Sequence, residues 1–172
     1  MCKKIIISLL VSSAMATVAT SAFAVDTGTV TFNGKILPDS CVVDVNGTAT
    51  NGTVTFNNLS QTAFGEDKKV GDTQSFAITL TECDAAVANL NIKFDGTRIA
   101  GYDDEVLQAT GTAQNLGVRM LPEGSSNYVK FDGSDPEAAL NKTNGESVVF
   151  NYKAEVIQVG STLPTTGDYT AQ

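Results

Sequence analysis

Short runs in which apolar and polar residues alternate recur along this chain, and the first lies at residues 28–36. Successive side chains of an extended backbone point to opposite sides, so every second residue shares a face. The apolar face of this run consists of Val30, Phe32, Gly34 and Ile36. A strand with one apolar face must bury it against a sheet. A strand near a terminus can reach the sheet of its own domain or that of a neighbouring molecule.

Further runs typical of β-strands continue through the chain, at residues 53–56, 75–80, 90–94, 116–120 and 148–159. Turn-forming dipeptides separate them: Asn46-Gly47, Asn51-Gly52, Asp95-Gly96, Glu123-Gly124, Asp132-Gly133 and Asn144-Gly145. Short strands at this spacing predict an all-β antiparallel sandwich. Two Phe-Asp-Gly tripeptides, at 94–96 and 131–133, are interpreted as independent exits from strands into turns.

The residues before the first strand have the form of a secretory signal peptide. Two lysines precede an apolar run, whose first and most strongly apolar part is residues 5–11. Ala-Phe-Ala at 22–24 has the small-x-small pattern of a cleavage site. We expect residues 1–24 to be removed, so that the mature chain begins at Val25. An uncleaved anchor is disfavoured because the strongly apolar run is shorter than the ~20 residues that span a bilayer.

The net charge of the chain limits the kinds of partner that it can bind. The chain of 172 residues carries 11 basic and 19 acidic side chains, a formal net charge of -8. Removing a signal with two lysines and no acid makes the mature chain still more acidic. Nucleic acid and anionic membranes are therefore poor partners. The remaining length suits one domain.

Two cysteines, Cys41 and Cys83, remain after the signal is removed. An exported protein with two cysteines usually pairs them, so we expect a structural disulfide. Closing the loop between them contributes about 4 kcal/mol of stability in the chain-entropy model. The alternative, a redox or metal-binding thiol pair, lacks both a CxxC spacing and any histidine.

Candidate chemistry is nearly absent from the sequence. Without histidine, the Ser-His-Asp and Cys-His arrangements and most transition-metal sites are excluded. The densest acidic cluster, Asp103, Asp104 and Glu105, follows Gly-Tyr in a predicted loop and lacks the pattern of a calcium-binding loop. We therefore predict no catalytic residue, no metal site, no cofactor and no enzymatic activity.

Several short motifs, taken in their order along the chain, resemble those of a known protein family. They are Gly-Thr-Val-x-Phe-x-Gly-x-Ile at 28–36, Cys-Val-Val-Asp at 41–44, Phe-Ala-Ile-Thr-Leu-Thr-Glu-Cys-Asp at 76–84, Phe-Asp-Gly-Thr at 94–97, Asn-Leu-Gly-Val at 115–118 and Asn-Tyr-Lys-Ala at 151–154. With the signal peptide, this order resembles the type 1 class of chaperone-usher fimbrial subunits, in particular the major rod pilins. The resemblance covers nearly all of the mature chain.

The resemblance implies an incomplete immunoglobulin-like antiparallel sandwich, which is completed in trans by donor-strand exchange. Residues 25–37 would be the donor extension, with Val30, Phe32, Gly34 and Ile36 filling the groove of a neighbour, and residues 38–172 the pilin domain. Gly34 would lie where the acceptor leaves no room for a side chain. The implied partners are neighbouring subunits in a head-to-tail homopolymer, a periplasmic chaperone and an outer-membrane usher.

The implied product is an adhesive fimbria on the bacterial surface, with a receptor, if any, bound through the fibre tip. Two alternatives stay open: a minor or adaptor pilin, and a secreted carbohydrate-binding β-sandwich. The missing tryptophan disfavours the second. One departure concerns the C-terminus, where the family normally has an alternating apolar strand with a tyrosine next to the last residue. Residues 167–172 stop short of such a strand, so we expect a fragment lacking about ten residues.

Overall fold

The computed structural model describes residues 41–48, 51–134 and 142–172. Within these ranges the strands are β1 (Val42–Val45), β2 (Val70–Thr81), β3 (Asn89–Leu90), β4 (Leu107–Gln108), β5 (Thr110–Gly111), β6 (Leu116–Pro122), β7 (Lys142–Thr143), β8 (Ser147–Gln158) and β9 (Tyr169–Thr170). All the strand pairs are antiparallel, and the described ranges contain one short 3-10 turn and no α-helix. The predicted signal and donor extension lie outside them. No helix in these ranges is long and apolar enough to cross a membrane.

Five strands form the main sheet, in the order β1-β2-β8-β6-β4. The two smaller sheets pair β3 with β7 and β5 with β9. β2 and β8 are the longest strands, and their pairing runs from Val70↔Ile157 to Thr81↔Ser147, with one irregularity near Asp72. The side chains of β8 alternate between exposed and buried over most of its length, as the pattern at 148–159 predicts. One face of the main sheet therefore covers the core.

Aromatic side chains fill the centre of this core. Phe150 is fully buried on β8, and Tyr152, two residues on, lies on the same face. The Tyr152 ring stacks on Phe76 of β2 at 5.6 Å between centroids and meets the edge of Phe94 at 5.3 Å. Burial of each ring contributes about 1.5–3 kcal/mol relative to exposure. The aromatic cluster thus joins the two long strands.

The predicted disulfide between Cys41 and Cys83 is present, with 4.1 Å between the two Cα atoms. Cys41 directly precedes β1, and Cys83 follows the end of β2. Because β1 pairs with β2 antiparallel from Val42↔Thr81, the start of one strand lies beside the end of the other. The strand pairing itself therefore brings the two thiols together.

The two Phe-Asp-Gly tripeptides are not independent exits from strands, as the sequence suggested. Gly96 N donates a hydrogen bond to Phe131 O at 3.2 Å, and Gly133 N donates one to Phe94 O at 2.9 Å. The two phenylalanine rings meet edge to face at 6.4 Å. The tripeptides therefore pair with each other across an antiparallel bridge, whose partners lie too far apart in sequence for a local pattern to reveal them.

Two predicted strands differ from the structure. In the segment 90–94 only Leu90 belongs to a strand, because β3 is Asn89–Leu90. Residues 53–56 belong to no strand, yet their alternation is intact: Val54 and Phe56 are half-buried, whereas the threonines beside them are exposed. The side chains of this segment alternate as they do on an extended strand, which gives it an apolar face, but within the described ranges it forms no ladder with another strand.

Candidate functional site

A groove of about 810 Å³ lies beside the extended segment. One side is formed by residues 52–61, the first rim, and the other by residues 164–172, the second rim. Between the rims the floor is made of apolar side chains. They are Phe76, Leu107, Ala113, Leu116, Val118, Met120, Phe131 and Ala154. Because Phe76 also packs on Tyr152, the floor of the groove is continuous with the core.

The two rims run antiparallel to each other. The rings of Phe56 and Tyr169 face each other with their centroids 6.4 Å apart. Further along, Gln61 Nε2 donates a hydrogen bond to Pro164 O at 2.6 Å. Between these contacts the chain advances from 56 to 61 on the first rim and returns from 169 to 164 on the second. The two rims therefore run in opposite directions along the two sides of the groove.

The first rim makes few backbone hydrogen bonds. Among the described residues, Asn57 N donates to Asp72 Oδ2 at 2.9 Å, and the Asn57 side chain donates to the same oxygen at 3.2 Å. Gln74 Nε2 also donates to Asp72 Oδ2, at 2.9 Å, and these donors hold the pKa of Asp72 below its usual value. The other backbone groups of residues 53–59 have no partner within the described ranges. Within the described ranges these groups are therefore available for hydrogen bonding to an added strand.

The second rim is bonded on the side away from the groove. Tyr169 and Thr170 form β9, which pairs with β5, and Thr165 N donates to Gln114 O at 3.2 Å. A strand that pairs on one side presents its other edge to whatever lies there. Burial raises the pKa of the Tyr169 hydroxyl, and the charge of Asp72 raises it further. The second rim thus contributes the Tyr169 ring to the groove, and most of its other side chains are polar.

The predicted acidic cluster does not line the groove. Asp104 Oδ1 lies 3.1 Å from Arg98 Nε, and both side chains are partly exposed. No group of three or more His, Cys, Asp or Glu side chains in the described ranges is arranged to hold a metal ion. The acidic cluster is therefore separate from the groove, whose lining does not include it.

The predicted groove-filling residues Val30, Phe32, Gly34 and Ile36 lie outside the described residues, and their role stays a prediction. The resemblance implied an acceptor groove, but it did not identify the residues of this chain that line it. The alternation at 53–56 was a usable signal, because it identified an apolar strand face, but it could not show that the strand lacks a partner.

A family model described as "Fimbrial protein" matches residues 30–172. The chain belongs to the fimbrial protein family. The S-fimbrial protein subunit SfaA of Escherichia coli O6:K15:H31 (strain 536 / UPEC) is 32% identical over 166 residues, which cover 92% of this chain and 90% of the relative. The type-1 fimbrial protein A chain of Escherichia coli is 31% identical over 165 residues, which cover 91% and 86%.

Among solved structures, the P pilus rod subunit PapA has a TM-score of 0.62 at 22% identity, covering 78% of this chain and 94% of PapA. This match confirms the predicted immunoglobulin-like antiparallel fold. Membership of the fimbrial family confirms the prediction of a structural fimbrial subunit, which is not an enzyme. Other pilin subunits are accordingly among its partners, and its location is the extracellular fimbria.

Proposed function

We propose that the groove accepts residues 28–36 of a second copy of this chain as an added strand. The observation that carries this proposal is the pair of antiparallel rims, which present strand edges across an apolar floor. A strand added to an exposed edge gains main-chain hydrogen bonds, and alternate side chains give it specificity. Here an added strand would gain hydrogen bonds on both of its sides.

The apolar face of residues 28–36 has the chemistry that the floor requires. Its members are Val30, Phe32, Gly34 and Ile36, which alternate with polar residues along the run. Placed between the rims, these side chains would point at the floor, and the polar residues would point to solvent. Transfer of one valine, isoleucine or phenylalanine from water to the floor contributes about 1.5–3 kcal/mol.

The donated strand and the accepting groove are different parts of the chain. A contact between two different surfaces is heterologous, and repetition of it gives a ring or an open filament. We infer an open head-to-tail fibre, consistent with fimbrial membership. In this proposal residues 1–24 direct export, a periplasmic chaperone covers the groove first, and an outer-membrane usher exchanges it for the donated strand. The resulting surface fimbria supports adhesion, with any receptor bound at the fibre tip.

A labelled peptide with the sequence of residues 28–36 tests the proposal. We expect saturable binding to the full-length chain, measured by fluorescence anisotropy, and a rise in its thermal unfolding midpoint. Replacing Phe32 in the peptide by aspartate should weaken binding by about tenfold or more, because a charge would face the apolar floor. The matched change Thr31→Asp, on the opposite face, should leave binding within about twofold. Equal losses in the two variants, or no binding by the parent peptide, would contradict the proposal.

A further inference from the structure

We propose that Gln61 closes one end of the groove and thereby limits how far an added strand can extend in that direction. The inference rests on the proposed function, because it assigns a length limit to the same site. It starts from the hydrogen bond between Gln61 Nε2 and Pro164 O, which joins the two rims at 2.6 Å. At this point a side chain of the first rim reaches the backbone of the second.

The Gln61 side of this contact is held in place by a short turn. Gln61–Ala63 form a 3-10 turn, whose cap residue Ser60 accepts a hydrogen bond from Thr62 N at 3.3 Å. Just after the turn, the N–H of Gly65 donates to Gln158 Oε1 at 3.0 Å. Gln158 is fully buried at the end of β8. The direction of the first rim therefore changes at Gln61, and the change is fixed to the main sheet.

The Pro164 side is held equally firmly. Pro164 is buried, and its neighbours are bonded to the segment between β5 and β6. Gln114 N donates to Thr165 Oγ1 at 2.9 Å, and Asn115 Nδ2 donates to Leu163 O at 3.2 Å. These bonds on both sides leave the Pro164 carbonyl little freedom to move away from Gln61.

An added strand cannot use this end of the groove. Pro164 has no N–H to donate, and its carbonyl already accepts from Gln61. The same contact joins the two rims, so a backbone that continued between them at this point would have to displace it. From the Phe56–Tyr169 pair, each rim reaches this point after five residues, from 56 to 61 and from 169 to 164. At about 3.3 Å per residue, roughly 17 Å of added strand fits between the ring pair and the closed end.

Three peptides measure this limit on the full-length chain. The first has the sequence of residues 28–36, the second adds a short Ser-Ala extension at its N-terminus, and the third adds the same extension at its C-terminus. With the wild-type chain, we expect one extension to weaken binding by about tenfold or more, since one or two edge hydrogen bonds near the closed end are lost. The other extension should change the Kd by no more than about twofold.

Gln61→Ala should remove this difference, so that the penalised peptide binds within about threefold of the unextended one. Gln61→Asn should act in the same way, because the shorter amide cannot reach Pro164 O. The matched control is Gln108→Ala on β4, an exposed glutamine outside the groove lining, which should keep the wild-type difference. The ratio of two Kd values is the readout, because general destabilisation of the chain lowers both affinities together.

The possible outcomes separate the two proposals. If the unextended peptide binds but both extensions are tolerated by the wild-type chain, the length limit is wrong and the proposed function stands. A penalty that persists in Gln61→Ala also overturns the role of Gln61. If the unextended peptide does not bind, both proposals fail.

Discussion

Gln158 is a fully buried polar residue at the end of β8, and it holds the turn that carries Gln61. Its Oε1 accepts from Gly65 N at 3.0 Å, and its Nε2 donates to Gly160 O at 2.8 Å. We predict that Gln158→Leu lowers the free energy of unfolding by about 2 kcal/mol. Leucine has a similar volume, so the change removes the two hydrogen bonds without opening a large cavity.

The magnitude follows from the surroundings of the two bonds. A hydrogen bond contributes about 1 kcal/mol net, and a buried group left without a partner costs about 1–3 kcal/mol. Gly65 is exposed, so water can replace the glutamine at its N–H, and Gly160 is only half-buried. The loss of each hydrogen bond should therefore cost about its net contribution of 1 kcal/mol, and not the full desolvation penalty. For the two bonds together, the free energy of unfolding falls by about 2 kcal/mol.

Urea unfolding of the full-length chain, followed by circular dichroism, measures the effect. Gln108→Leu on β4 is the matched control and should change the free energy of unfolding by less than about 0.5 kcal/mol, because Gln108 is exposed. A loss below about 0.5 kcal/mol in Gln158→Leu would refute the reasoning, since it would mean that the buried amide contributes no net hydrogen bonding.

Gln158→Glu extends the same test to pH. At neutral pH the buried carboxylate would lose hydration and face Gly160 O, an acceptor. Burial raises the pKa of such a carboxyl, so the native state binds the proton more tightly than the unfolded state. Stability should therefore be highest below the unfolded value of about 4.3 and should fall as pH rises through the folded value. A Gln158→Glu variant with the same pH dependence as wild type would contradict this explanation.

Two further predictions use the same urea assay. Burial raises the pKa of Tyr152 from 10.0 to about 12. The unfolded state therefore loses this proton first, and the free energy of unfolding should fall by about 1.4 kcal/mol per pH unit between these two values. Tyr152→Phe should remove this part of the pH dependence, and an unchanged slope would contradict the assignment. Gly117→Ala would place a Cβ against Val106 Cγ1 and should cost about 1–3 kcal/mol. Gly145→Ala, whose Cβ would meet nothing within 4 Å, is its control and should be nearly neutral.

The long strands could be predicted from the sequence because a period of two is visible within each of them. The runs at 75–80, 116–120 and 148–159 lie in β2, β6 and β8 or extend only just beyond them. Strands of two residues, such as β5 and β9, carry no such period. Their pairing depends on where the rest of the chain places them, which a local pattern does not contain.

The same reasoning explains what was predicted of the site. The disulfide followed from the number of cysteines, because two in an exported chain leave one pairing. The alternation at 53–56 predicts a strand, and the same side chains alternate in the structure. What the sequence could not show is the contact of Phe56 with Tyr169 or of Gln61 with Pro164, since each joins residues more than a hundred positions apart.

The continuity between groove and core has a consequence for assembly. Phe76 packs on Tyr152 within the core and also lines the groove, and Met120 belongs to both as well. A strand bound over these side chains would therefore cover part of the core itself, in addition to an outer surface. Because a partner that binds only the folded chain stabilises it by mass action, strand addition should stabilise the β2–β8 pair along with the rims. The same apolar side chains would then stabilise the fold of each subunit and its contact with the added strand. Core substitutions at Phe76 or Met120 should therefore lower both the stability of the subunit and its affinity for the strand.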